Sequence, residues 1–117
     1  MDRTEFTSQY VETALWSSGD GEHEFLDCFD ISDSAMEMLV EVANKFFDEN
    51  RRDILAFCEE HSCDVGTAGH LFWLNSNGHG SGFFDYHSDV AVKLEKQARS
   101  SRGFDLYVGD DDLVYVC

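Results

Sequence analysis

The chain is predicted to fold as one α+β domain, an antiparallel sheet of two hairpins packed against three helices in the order α, α, β, β, α, β, β. Three observations carry that expectation. Apolar residues recur at helical spacing over residues 2–16, 34–61 and 88–99. The spacing becomes strand-like around residues 70–86 and again over 105–117. Proline is absent from all 117 residues, so Gly, Asn, Asp and Ser must make every turn. With 43% apolar residues, this length supports a single core over residues 1–117.

The first helix is expected over Asp2 to Trp16, where Phe6, Tyr10, Val11, Ala14 and Leu15 share a face, Asp2 and Glu5 stand in a cap-like relation and Gly19 lies just beyond the end. The stretch "GDGEHEFLDCFDISD" then loses the period. It reads as an acidic loop anchored by Phe25, Leu26, Phe29 and Ile31. Ser34 followed by Glu37 has the spacing of a capping box and is expected to open the longest helix. Its stripe is Met36, Leu39, Val40, Ala43 and Phe47, resumed by Ile54, Leu55 and Cys58 after "DENRRD", with a bend near Asn50 and an end near His61. Glu41 with Lys45, and Asp48 with Arg52, have the spacing of helical ion pairs.

"HLFWL" is apolar on both faces, as in a central strand, and "GFFDY" offers Phe84 and Tyr86 on one face with Phe83 on the other. These two are expected to pair as a hairpin around the Gly-rich loop Asn77 to Gly82. A third helix follows from Ser88 through Val90, Ala91, Leu94 and Ala98, with Lys96 and Arg99 near its negative end and Gly103 as its cap. "DLYV" and "LVYVC" read as a second hairpin turned by "GDDD".

Charge is the compositional feature that bears most on function. Against 24 Asp and Glu stand 8 Lys and Arg, a formal net charge of −16. Such a chain repels phosphate backbones, so direct nucleic-acid binding is not expected. No N-terminal stretch combines a basic start with an apolar run, and nothing approaches the ~18 apolar residues of a membrane helix, so a soluble cytosolic protein is expected. Cys28, Cys58, Cys63 and Cys117 lack framework spacing and read as buried free thiols.

Gly78, Gly80 and Gly82 lie between two predicted strands with no Lys and no following helix, unlike a phosphate cradle. Ser81 lacks the flanking glycines of a nucleophile elbow. Cys58, His61, Cys63 and His70 have the residue types of a zinc site without its module spacing, and neither acidic loop has calcium-loop spacing. No metal, cofactor or catalytic set is therefore expected. Asn77, Gly78, His79 and Gly80 remain a loop of open function, because a turn does not require His79.

Of the 24 acids, 17 precede Val65, against Arg3, Lys45, Arg51 and Arg52. Carboxylates spaced along helices offer a phosphate-like potential to a basic partner protein. On this reading the partner-binding residues are Asp20, Glu22, Glu24, Asp27, Asp30, Asp33, Glu37, Glu41, Asp110, Asp111 and Asp112.

The stretch "AGHLFWLNSNGHGSGFFDYHSD" and "FDLYVGDDDLVYV" resemble a family of small uncharacterised proteins encoded by bacteriophages and prophages. The likeness lies in Gly69-His70, Phe72 to Leu74, Asn77 to Gly80, Gly82-Phe83, Asp85 and Asp105 to Asp111, with "ETALW" matching more loosely and Phe84 standing where the family has Trp. It implies a phage source and a bacterial host cytoplasm, and no particular activity. By analogy with small phage accessory proteins, the expected function is binding and inhibition of a host protein, as an acidic DNA mimic of a nucleic-acid-handling or defence enzyme. Two other readings stand beside it: a metal-dependent or His-based hydrolase built on His70, His79 and His87, and an assembly protein.

Overall fold

The computed structural model describes residues 3–18, 26, 29–77, 82–101 and 103–116. Within them lie four helices and three short strands: α1 (Arg3–Ser17), β1 (Asp30–Ile31), α2 (Asp33–Glu60), α3 (Val65–Ser76), α4 (Asp89–Arg99), β2 (Leu106–Val108) and β3 (Leu113–Val116), with a 3₁₀ turn at Phe83–Asp85 before α4. The sheet order is β1-β3-β2, with β1 parallel and β2 antiparallel to β3. This overturns the expected sheet of two hairpins on three helices. Only the second hairpin forms, and the expected first one is a helix followed by a 3₁₀ turn.

The reason for the difference is burial. α3 is covered over most of its surface, with Val65, Ala68, Leu71, Phe72, Trp73, Leu74 and Asn75 all buried and Thr67, His70 and Ser76 half-buried. A helix buried this widely shows no clear stripe, so "HLFWL" reads the same as a central strand. Its start is nonetheless encoded: Asp64 accepts hydrogen bonds from the Thr67 N–H at 2.8 Å and the Thr67 hydroxyl at 2.9 Å. The "FFD" segment turns because side chains replace a ladder: Asn75 Oδ1 accepts from the Phe83 N–H at 3.1 Å, and the Asp85 carboxylate from the Gly82 N–H at 3.2 Å.

α2 begins earlier than its capping pattern implied. Ser32, not Ser34, is the N-cap, accepting from the Ala35 N–H at 3.2 Å, because pairing of β1 with β3 ends at Ser32, whose N–H donates to Val114. The break near Asn50 is present: its backbone leaves helical geometry (φ −120°, ψ 19°) and its amide donates to the Phe46 carbonyl. At the far end Ser62 takes a left-handed conformation (φ 54°) and the Cys63 N–H returns to the Cys58 carbonyl at 3.0 Å, the bond of a Schellman stop. α4 starts at the expected cap, Ser88, but ends at Ser100 rather than at Gly103.

The core is aromatic. Phe72 stacks on Phe46 (centroids 3.9 Å apart) and Tyr10 (5.1 Å), while Phe57 meets Phe83 edge-on at 5.2 Å. Trp73 is buried too, its indole N–H donating to Ser17 Oγ at 2.8 Å. Tyr10 has no such outlet. It is fully buried, its hydroxyl has no hydrogen-bond partner among the described residues, and burial pushes its ionisation above the ordinary tyrosine range. Tyr10→Phe keeps the ring and discards an unpaired polar group, so it is expected to stabilise the fold by about 1 kcal/mol. A urea midpoint below that of the parent would refute the unpaired hydroxyl.

Candidate functional site: an acidic surface beside an apolar groove

Of the carboxylates expected to bind a partner, the structure brings one group together. In the sheet Asp30 lies opposite Leu113, the residue after Asp112, so the turn Asp110 to Asp112 ends beside β1. Three residues of chain reach at most about 11 Å, so Asp33 lies within that distance of Asp30. From there Asp33, Glu37 and Glu41, all exposed, recur at four-residue intervals along α2, about 6 Å apart along its axis. Asp20, Glu22, Glu24 and Asp27 lie outside the described residues, as do Gly78, His79 and Gly80.

Within the turn the carboxylates are not equivalent. Asp111 accepts from the Tyr115 hydroxyl and from the Leu113 N–H, and these bonds hold its carboxyl below the usual range. Asp112 supplies the left-handed residue (φ 62°) that lets the hairpin close. Both acids therefore serve the turn as well as its charge.

The bases are partly spent elsewhere. Arg3 pairs with Asp48 at 2.7 Å, Lys93 with Asp53 at 3.4 Å and Arg99 with Glu95 at 2.6 Å. Asp48 thus meets Arg3 rather than the expected Arg52. Among the described residues, Asp33, Glu37 and Glu41 form no ion pair, which leaves the start of α2 a single-sign surface.

The residues considered for metal binding are pulled apart. Cys58 is buried, its thiol donates to the Asp64 carbonyl at 3.3 Å, and burial with Cys63 beside it pushes its pKa to about 12. His61 lies against Phe57 and Tyr86, with Nε2 3.0 Å from Ser88 Oγ. His70 points elsewhere: its Nδ1 is 2.9 Å from Thr13 Oγ1 and its ring stacks on Trp16 at 5.7 Å. Among the described residues no three His, Cys, Asp or Glu side chains gather as a metal site would require.

The Ser88–His61 contact, which sequence reasoning missed, has the residue types of a nucleophile and base. Its setting does not support that chemistry. Ser88 Oγ is the N-cap of α4, accepting from the Ala91 N–H at 3.2 Å, and the nearest carboxylate, Glu60, stands 3.9 Å from the same His61 nitrogen rather than orienting the other one. The pair fastens the end of α2 to the start of α4. His87 is exposed near that N-terminus, in a hollow with Tyr86 and Asp89, whereas His70 lines a different hollow with Glu5 and Asp64. The two histidines therefore do not act on one substrate position.

His70 is half-buried and its pKa is lowered by that burial. The unfolded chain then takes up the proton first, so the neutral ring's share of stability is complete above pH 6.5, the ordinary value, and is lost as pH falls toward the folded value. His70→Gln is expected to flatten the fall in urea midpoint below pH 6.5 relative to the parent. Parallel curves for the two proteins would sink this assignment.

Asn77 has a structural explanation. Its Oδ1 accepts from the Phe104 N–H at 2.8 Å and its amide donates to the Trp73 carbonyl at 2.9 Å, tying the end of α3 to the segment leading into β2. Gly103 packs against this corner, where a Cβ would lie 2.9 Å from Asn77 Oδ1 and from the Ser76 carbonyl oxygen.

Next to the acidic row lies a feature that patterning did not reveal. Met36 and Val40 were expected on the buried stripe of α2. Instead Met36 is 37% exposed, Val40 is half-buried, and both line a groove of about 750 Å³ with Val11, Leu15 and Trp16 of α1. Trp16 is 40% exposed. Width of burial around a helix cannot be read from one stripe, because it depends on how closely the neighbouring helix approaches.

No protein-family model, curated protein or solved structure matches the chain. None of the described helices is long and apolar enough to cross a membrane. Charge and geometry are what remain to indicate function.

Proposed function

We propose that this is a non-enzymatic accessory protein of phage origin that binds and inhibits a basic host protein, acting in the bacterial cytoplasm as an acidic decoy for an enzyme that handles nucleic acid or defends the host. The observation that carries this reading is the net charge of −16 together with the row Asp33, Glu37 and Glu41, which no described base neutralises. Its continuation past Asp30 to the Asp110–Asp112 turn supports a surface that extends over more than one element. The sequence resemblance supports the phage source.

A field of one sign speeds capture of a basic partner and weakens with added salt. The test is retention of host-lysate proteins on the immobilised chain, with double-stranded DNA as competitor. Basic nucleic-acid-binding proteins are expected to bind at about 50 mM salt, to leave by about 200 mM, and to be displaced by DNA. Failure to retain any basic protein, or retention indifferent to both salt and DNA, would overturn the decoy reading.

A further inference from the structure

The groove between α1 and α2 has a regular construction. Arg3 meets Asp48 and Thr7 meets Asn44 (2.6 Å), so the helices run antiparallel. The same register brings Val11 toward Val40 and Leu15 toward Met36, all four in the groove wall. Thr4 to Trp16 span the α1 side, about 18 Å at 1.5 Å per residue, the length of a three-turn helix. One end is polar, with Arg3, Thr4, Thr7 and Asn44, while the other is apolar and exposed at Trp16 and Met36.

The α2 border is acidic. On α2, Met36, Val40 and Asn44 form the groove row; the core residues Leu39 and Ala43 lie to one side of it, and Glu37 and Glu41, one residue further round, lie to the other. Asp33 begins the same border; on the α1 side Glu12 lines the groove midway, and Arg3, paired with Asp48, stands at its polar end. An apolar floor with a row of carboxylates along α2 and Glu12 opposite complements a helix with an apolar stripe flanked by Lys and Arg. A second copy of this chain does not fit that description, because it would bring another charge of −16 against the same rim.

We propose that the α1–α2 groove receives a basic amphipathic helix of the partner, whose apolar side chains seat between Trp16 and Met36 while its cations reach Glu12, Asp33, Glu37 and Glu41. This rests on the reading of the partner as a basic protein, and it names the part of that partner which docks.

The test uses the whole chain and two synthetic Leu/Lys peptides of about 18 residues, long enough to form a helix. They have identical composition, one with Leu at i, i+3, i+4 and i+7 and one with the order scrambled to erase the stripe. Calorimetric titration is expected to give at least about tenfold tighter binding of the striped peptide. Met36→Lys is expected to remove about tenfold of that affinity, whereas Val92→Lys, which adds the same charge at an exposed site on α4, is expected to change it by less than about threefold. Urea midpoints of both variants guard against simple unfolding, and Trp16→Ala provides a second groove variant.

Equal, salt-sensitive binding of both peptides would overturn the groove while leaving the charge-based reading intact. Binding of neither would also overturn it, with the lysate and DNA competition then deciding the decoy reading separately. Self-association in sedimentation that Met36→Lys abolishes would assign the groove to a second copy, against the proposal.

Discussion

Replacing Gly69 by Ala is expected to cost the fold about 3 kcal/mol or more, read as a fall in urea midpoint. A Cβ at this position would lie 2.1 Å from the Phe6 carbonyl oxygen and 3.0 Å from its carbonyl carbon. Both are backbone atoms of α1, so no rotamer change relieves the clash and the two helices must separate. Separation would loosen the contacts of Phe6 and Tyr10 with Phe72, the centre of the aromatic core. Gly66, one turn earlier on α3, is the control: a Cβ there meets only side-chain atoms at 3.5 to 3.7 Å, ordinary contacts. Gly66→Ala should be stabilising by about 0.5 kcal/mol, since Ala favours the helical state. Equal midpoints for the two variants would show that α1 and α3 do not cross at Gly69.

That crossing also explains which parts of the fold were legible. α1, α2 and α4 each have one polar face, so their helical period survives in the sequence, and the turn residues of the β2–β3 hairpin are local. α3 shows no broad polar face, and Gly69 looks like strand or loop punctuation when its actual use is to let α1 approach. β1 is two residues long and exists because β3, more than eighty residues away, pairs with it. No local signal encodes such a strand. The 3₁₀ turn at Phe83–Asp85 likewise depends on Asn75, eight residues earlier and on another element.

The candidate site divides in the same way. Charge is a sum over residues, so the acidic surface was visible from composition and spacing. The groove is a relation between two helices: Met36 and Val40 continue the apolar stripe of α2, and only the register set by Arg3 with Asp48 and Thr7 with Asn44 turns them outward into a shared concavity. Trp16 carried the one available hint, a large aromatic at the edge of its stripe, close to where α1 ends.

Asn75→Ala is expected to destabilise the fold by about 3 kcal/mol, more than loss of an ordinary surface polar group. Asn75 is only 8% exposed, and its Oδ1 accepts from the Phe83 N–H at 3.1 Å. With Ala, that amide keeps its buried position and loses its acceptor, which costs about 1–3 kcal/mol. The deleted side chain adds to the loss, because it is the wall against which Gly82 packs: a Cβ on Gly82 would lie 2.7 Å from Asn75 Cβ, Cγ and Oδ1. Asn77→Ala, at a half-buried position, is expected to cost less, about 1 kcal/mol. Amide exchange separates the effects, since Phe83 should lose protection in Asn75→Ala and Phe104 in Asn77→Ala. If the Phe83 amide stays protected without Asn75, the turn is held by something other than this side chain, and the end of α3 is not the fastener that replaces the missing hairpin.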